Sequence, residues 1–527
     1  MRAADACCTA GAGQEKIRRG GKSNESRGEV MARVSEYYRL GRTQGTLDFV
    51  DVDTVNDIRV YVDPGLIRYL EDDWGKQCLK MLETFFDSVL DSVRSNDKRR
   101  TVYLLSQLRE PNETHLGISR GPSAGRGFGS KMGAAFAQKL AESEAAKTGL
   151  IQDLEDTAFF IDGVDMDIVS DITTNIIRGP LITYTQQMAE LFDIPLEEGV
   201  VSGPVWNPNT LEWENGFTEL PTPDGNKLLL VPKMIVRRSM HMSRSEYYRN
   251  HLVPVLQEEE AKFALRGLAD TVRSRGKVIV TKKQIKQKYG STKPDVTRET
   301  LKRPSVYEHY RAVKREVAPQ PLSHRELSDT ADTPMPDYEQ LLQAVLDVPP
   351  GKPDATRYHD AVEALLTAIF YPSLSMSDKE TEIHDGRKRI DITYTNTARD
   401  GFFRYLTRHR IQSRYVFVEC KNYGKDVTNP ELDQLSSRFS TLRGEFGILS
   451  CRSFEDKDLF LRRCRDTARD GRGYVIALDD EDLKRLVADV LAAVKPAPVD
   501  LDGAEPKPIR PVSDYPLLHD RLKLLHG

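Results

Sequence analysis

The sequence predicts an α/β chain. A C-terminal unit is built on a central mixed sheet flanked by helices, and a larger α+β N-terminal region of unassigned fold precedes it. Three observations carry this prediction. Beyond residue 354, β-rich runs alternate with helical stretches; before residue 270, helical periodicity is broken by isolated apolar runs. Between the two, Pro and Gly punctuate VAPQPLSHRELSDTADTPMPDYEQ and PPGKPD, the strongest boundary signal in the chain. A length of 527 residues suits about three domains. Hydrophobic residues at 39% and charged residues at 30% exclude a fibrous or wholly disordered chain.

Residues 1–30 are small, polar and Gly-rich and are expected to be a disordered or spurious extension. LDFV from Leu47 and DIRVYVDP predict short strands, and Leu79, Leu82, Phe85, Phe86, Val89, Leu90 and Val93 recur at helical spacing. A second helix near 101–108 leads into a polar loop with six glycines between Gly117 and Gly133. Helical segments then alternate with apolar runs at 157–161 and 227–236, and 31–270 is read as an α+β region that senses a trigger or recognises substrate. Asp153, Glu155, Asp156, Asp162, Asp165, Asp167 and Asp171 crowd one stretch without calcium-loop spacing. Helix caps and a solvated face are their expected roles.

Between Arg273 and Arg315, fourteen Lys or Arg stand against three acids, so 271–350 is expected to be a basic helical segment and linker. Lys282, Lys283 and Lys286 are its candidates for contact with a phosphate backbone, with Tyr307 and Tyr310 as stacking or core aromatics. Region 351–495 reads as helix 357–370, strand 388–393, helix 398–409, strand 415–420, helix 430–440, strand 445–451, helix 454–468, strand 473–478 and helix 480–493. Residues 496–527 are expected to be an extended tail.

Eighty acids nearly cancel 76 bases, so any nucleic-acid surface must be local. The six cysteines lack the spacing of a disulfide framework or a thiolate zinc site. No run approaches 18 apolar residues, and the opening lacks the apolar core of an export signal, so a cytoplasmic protein without membrane association is expected. The glycine-rich loop does not match a phosphate-binding loop, and His115 has no spaced partner for metal binding.

In YVFVECK, strand alternation places Glu419 and Lys421 on one face, while Cys420 turns to the other as a small core hydrophobe. In KRIDIT, Ile390 and Ile392 fall opposite Asp391, and pairing the two strands brings Asp391 beside Glu419. Two carboxylates make a hard oxygen site suited to magnesium, and an adjacent lysine can orient water or neutralise charge on a phosphate.

Asp391 with Glu419-Cys420-Lys421 resembles the PD-(D/E)XK nuclease superfamily, the restriction-endonuclease-like fold, over about residues 354–495. The GEFGILSCR strand looks similar to the type IV modified-DNA restriction branch. The resemblance implies that Asp391 and Glu419 bind Mg²⁺, for which Mn²⁺ can substitute, that the main-chain carbonyl of Cys420 adds a ligand, and that Lys421 assists the attacking water. It further implies Glu363 as an acidic ligand from the preceding helix and Gln434 as a polar residue on the helix after the lysine. Two departures stand out: Ile390 replaces the motif's proline, and 27 residues separate Asp391 from Glu419. Arg387, Lys388 and Arg389 stand where an entering phosphate backbone would pass. The implied function is a Mg²⁺-dependent DNA endonuclease, a homodimer or higher oligomer acting on duplex DNA in defence against foreign DNA or phage. Its rivals are a host repair or processing nuclease and a non-catalytic nucleic-acid-binding or regulatory protein on a degenerate nuclease fold.

Overall fold

The computed structural model describes residues 32–117, 130–264, 272–274, 277–383, 388–494 and 513–526. Asp72 caps the first turn of α1 (Asp73–Arg94) by accepting the Gly75 amide, and of the periodic face seen in the sequence Leu82, Phe85, Phe86, Val89, Leu90 and Val93 are buried, while Leu79 is half-buried and Met81 joins the buried side. Trp206 and Trp213 close on Phe85, with ring centroids 5.1 and 5.3 Å away. The rest of this region is mainly helical. Its strands are short ribbons, such as Tyr61–Val62 against Val236–Arg237, and the run from Leu47 contributes a single bridge, Phe49 to Pro232.

Among the acids at 153–171, Glu155 and Asp156 are buried, Asp162 and Asp165 are exposed, and Asp165 caps the following helix by accepting the Ile168 amide. Asp153 and Asp156 form the capping box of α2 (Leu154–Phe160), and Asp156 is fully buried. The basic segment also differs from its expected role as a separate linker. It folds into α3 (Lys282–Tyr289), α4 (Lys293–Leu301) and α5 (Pro304–Glu316), whose Ile285, Val296, Tyr307 and Tyr310 join the N-terminal core. Many of its cations meet acids distant in sequence: Arg303 meets Glu259 at 2.6 Å, Lys288 meets Glu260 at 2.6 Å, Lys314 meets Glu246 at 2.7 Å, and Arg311 and Arg315 both meet Asp153. Tyr307 donates to Asp156 at 2.7 Å, so it is a core residue and not a stacking platform. Lys282, Lys283 and Lys286 remain exposed on α3. The core changes over between α6 (His324–Ala331), which belongs to the first, and α7 (Tyr338–Leu346), which opens the second.

The second core is an α/β unit. α8 (Ala355–Phe370) buries Tyr358, Val362, Leu365, Leu366 and Ile369, and precedes β1 (Leu374–Ile383) and β2 (Lys388–Asn396). The insertion after Asp391 forms α9 (Gly401–Arg408), pinned by buried Phe402, Phe403 and Leu406, and leads to β3 (Tyr415–Lys421). Then follow α10 (Asn429–Ser436), β4 (Phe446–Cys451), α11 (Lys457–Arg469), β5 (Tyr474–Leu478) and α12 (Asp480–Val494). The sheet order is β5-β4-β3-β2-β1, antiparallel from β1 to β3 and parallel from β3 to β5, which is a mixed sheet flanked by helices. The end of the chain corrects the expectation of an extended tail: α13 (Pro516–His526) packs on α11 and β5, burying Leu517, Leu518, Leu522 and Leu525. No helix among the described residues is long and apolar enough to cross a membrane.

The two regions touch along α8 and the turn after it. Arg42 Nη2 lies 2.6 Å from Glu363 Oε2, Tyr371 donates to the Leu322 carbonyl at 2.7 Å, and Lys233 Nζ sits 4.2 Å from the Tyr371 ring centroid. His324 Nε2 meets the Ala368 carbonyl at 3.0 Å.

Two predictions come from this contact. Glu363 is buried, so Arg42→Ala removes the cation facing its carboxylate, and urea unfolding should show a loss of up to about 3–5 kcal/mol. Arg42→Ala combined with Glu363→Gln should recover most of that loss; an equal loss in both proteins would place the cost elsewhere. Burial, followed by the Lys233 ammonium, lowers the His324 pKa from 6.5 to about 3. The fold keeps the ring neutral while the unfolded chain takes up a proton below 6.5, so this contribution is complete above pH 6.5 and is lost as pH falls towards 3. His324→Gln should flatten the pH dependence of unfolding in that window, and an unchanged slope would remove His324 as its source.

Candidate functional site

The site begins at the register of β2 and β3. Ile392 lies opposite Val418, Thr393 opposite Phe417 and Tyr394 opposite Val416, and the same register brings Asp391 level with Glu419. Beyond the last paired residues, the Asp391 carboxylate takes the place of a ladder carbonyl: its Oδ2 accepts the Cys420 amide at 2.7 Å. The Cys420 side chain is buried in the core, as alternation requires, and the structure engages its main-chain N–H with Asp391.

Glu419 and Lys421 keep to one side of β3. Lys421 Nζ donates to Glu419 Oε1 at 2.7 Å and to Gln434 Oε1, from α10, at 3.3 Å. Arg438, also buried, has its Nε 4.0 Å from Glu419 Oε2. Burial, and then the Asp391 charge, raise the Glu419 pKa, with Lys421 pulling the other way. Burial works against the Lys421 ammonium, but the Glu419 carboxylate outweighs it, so the lysine pKa lies above its ordinary value and the side chain is charged at neutral pH. Glu419 Oε2 is buried with no hydrogen-bond partner.

Among the described residues, no group of three or more His, Cys, Asp or Glu side chains is gathered so as to hold a metal ion. The Asp391–Glu419 pair nonetheless has the donor chemistry for one. It presents hard carboxylate oxygens, one of them buried and unsatisfied, which suits an octahedral cation that retains several waters.

The remaining sequence candidates lie elsewhere. Glu363 is on α8, but its carboxylate is taken by Arg42 at Oε2 and by Thr367, 3.0 Å from Oε1. One turn earlier, α8 brings His359 to the site, with Nε2 3.8 Å from Asp391 Oδ2. Lys388 and Arg389 pair through their backbones with Ile383 and Glu382 of β1. Their side chains, together with Arg387 and residues 118–129 of the glycine-rich loop, lie outside the described residues. Lys282, Lys283 and Lys286 belong to the N-terminal core region, not to the sheet that carries Asp391 and Glu419. His115 is buried and ends a short turn in the left-handed region, at φ 50°.

Sequence reasoning missed His359 and Arg438. His359 stands four residues before Glu363 on α8, the spacing that places two side chains on one helical face, whereas Arg438 lies in the turn just past the end of α10.

Residues 39–243, all within the N-terminal region, match the family described as Domain of unknown function (DUF8370). No curated protein and no solved structure matches the chain.

Proposed function

We propose that the chain is a divalent-metal-dependent endonuclease that hydrolyses DNA phosphodiesters through a restriction-endonuclease-like domain at about residues 351–495. The observation that carries this reading is the meeting of Asp391, Glu419 and Lys421 at one end of a mixed sheet, with a buried Glu419 oxygen left unsatisfied. The succession α8, β2, β3, α10, β4, with β4 parallel to β3, supports it, because helix, strand, strand with E-x-K, helix, strand is the order that the PD-(D/E)XK resemblance implies; β1 and α9 are additions to it.

In this reading the Cys420 amide fixes Asp391, and Gln434 and Glu419 together hold Lys421. Lys421 keeps its proton and can donate it in a hydrogen bond to the attacking water or to a non-bridging phosphate oxygen, offsetting the charge that grows there. A bound Mg²⁺ or Mn²⁺ would supply a lowered water pKa and a counter-charge for the phosphate. Duplex DNA as substrate, a homodimer or higher oligomer to cut both strands, a role in defence against foreign DNA and a sensing N-terminal region all belong to this proposal.

One observation favours a second reading, a nucleic-acid-binding protein that does not cut. Lys421 and Arg438 flank Glu419 from either side, so the chain itself supplies cations to the buried carboxylate.

The test is cleavage of supercoiled, linear, modified and single-stranded DNA in Mg²⁺, Mn²⁺ or EDTA. Cutting should need the metal and fall at least about 100-fold in both Asp391→Ala and Lys421→Ala. DNA binding without cutting, unchanged in folded samples of both variants, would favour the second reading.

A further inference from the structure

We propose that the outer face of the ribbon made by strands Glu197–Val201 and Phe217–Leu220 docks a second copy of this chain, on the surface that the exposed lysines of α3 form with Phe263. The contact supplies an interface for the oligomer named in the proposed function and does not depend on DNA cleavage.

Charge of each sign is gathered into an unbroken block of sequence. Between Arg178 and Lys227 the chain has eight acids and no Lys, Arg or His; between Asp270 and Asp295 it has eight Lys or Arg and no acid. The two blocks do not neutralise each other within one molecule. Glu197, Glu198 and Glu219 are exposed and meet no cation among the described residues, and Lys282, Lys283 and Lys286 are exposed and meet no carboxylate among them.

The ribbon has one covered face and one bare face. Leu220 is buried on the inner side with Ile182 and Leu229. On the outer side Val201 lies opposite Phe217, so the two side chains share a face, and they are 57% and 78% exposed. Strand alternation adds Glu219 to the face of Phe217. The basic surface has a matching apolar group. Phe263, 53% exposed, stands near the end of helix Val253–Ala264, which packs against α3 and pairs with it through Glu260 and Lys288 at 2.6 Å. Each surface therefore offers an exposed aromatic ring beside charges of one sign, which is the make-up of an interface with an apolar centre and a charged rim.

A second copy satisfies both surfaces at once, with the ribbon of one molecule on α3 of the other. A nucleic acid would meet the lysines alone and leave the acidic ribbon, which repels phosphate, without a partner. Copies joined in this way form a dimer where the contact is reciprocal and a ring where it runs head to tail.

The test is sedimentation equilibrium of the full-length chain without DNA or added metal. The parent should self-associate, less tightly as salt rises, and Phe217→Ser should weaken association about tenfold or more. Two charge reversals carry the decisive comparison: Glu197→Lys with Glu198→Lys and Glu219→Lys, and Lys282→Glu with Lys283→Glu and Lys286→Glu. Each variant alone should be monomeric, because its ribbon and its α3 then carry the same sign, and an equimolar mixture of the two should associate again. Circular dichroism checks that each variant is folded. A monomeric parent, association unchanged by both reversals, or reversals that dissociate the protein with no recovery on mixing would overturn the proposal. Loss of DNA binding in the lysine variant with association intact would also overturn it and assign α3 to nucleic acid. Cleavage plays no part in the readout, so failure here leaves the nuclease reading standing.

Discussion

The carboxylate of Glu419, buried in the central strand of the C-terminal sheet, is the constraint around which this region is arranged. β3 is paired on both sides, by β2 and by β4, so Glu419 cannot swing into water and its charge must be met where it stands. Lys421 and Arg438 answer it from the same strand and from beyond α10, and Gln434 steadies the lysine. Asp391 works against them, adding a second negative charge that raises the Glu419 pKa. A fold selected for stability alone would replace such a set with apolar side chains at little cost. Asp391 and Glu419 nevertheless stand side by side, with Glu419 Oε2 accepting no hydrogen bond.

α8 connects this arrangement to the rest of the molecule. Its outer turn presents His359 to the sheet end, while its inner turn gives Glu363 to Arg42 of the N-terminal region. The same helix therefore touches both cores. The basic segment belongs to that region structurally. With Arg303, Arg311 and Arg315 paired to Glu259 and Asp153, its excess of positive charge holds helices together.

The legible parts of the sequence were those governed by short-range rules. Strand alternation alone placed Glu419 with Lys421, and strand pairing brought in Asp391 despite the long insertion, because Phe402, Phe403 and Leu406 fold that insertion onto the core. β1 escaped because LSMSDKETEI is largely polar in sequence and lies at the sheet edge, where apolar alternation is not required. Glu363 was identified as acidic and helical, but its partner Arg42 is 321 residues away in sequence, and no local rule spans that distance. The same separation hid the acids that meet the basic segment. Much of the N-terminal region turns on short ribbons and buried extended runs, whose pairing depends on tertiary contacts more than on periodicity.

The last helix changes what counts as the C-terminal unit. Tyr515 packs against Phe370 at 5.1 Å and Phe403 at 5.8 Å and donates to the Ile369 carbonyl, while Arg521 reaches Asp482 on α12 at 2.8 Å. A fragment cut after α12, where the alternation of strands and helices ends, would present those rings and the apolar side of α11 to water. Such a patch drives self-association. Dimers of that fragment would then report a missing lid on the hydrophobic core, and would say nothing about how the intact chain assembles.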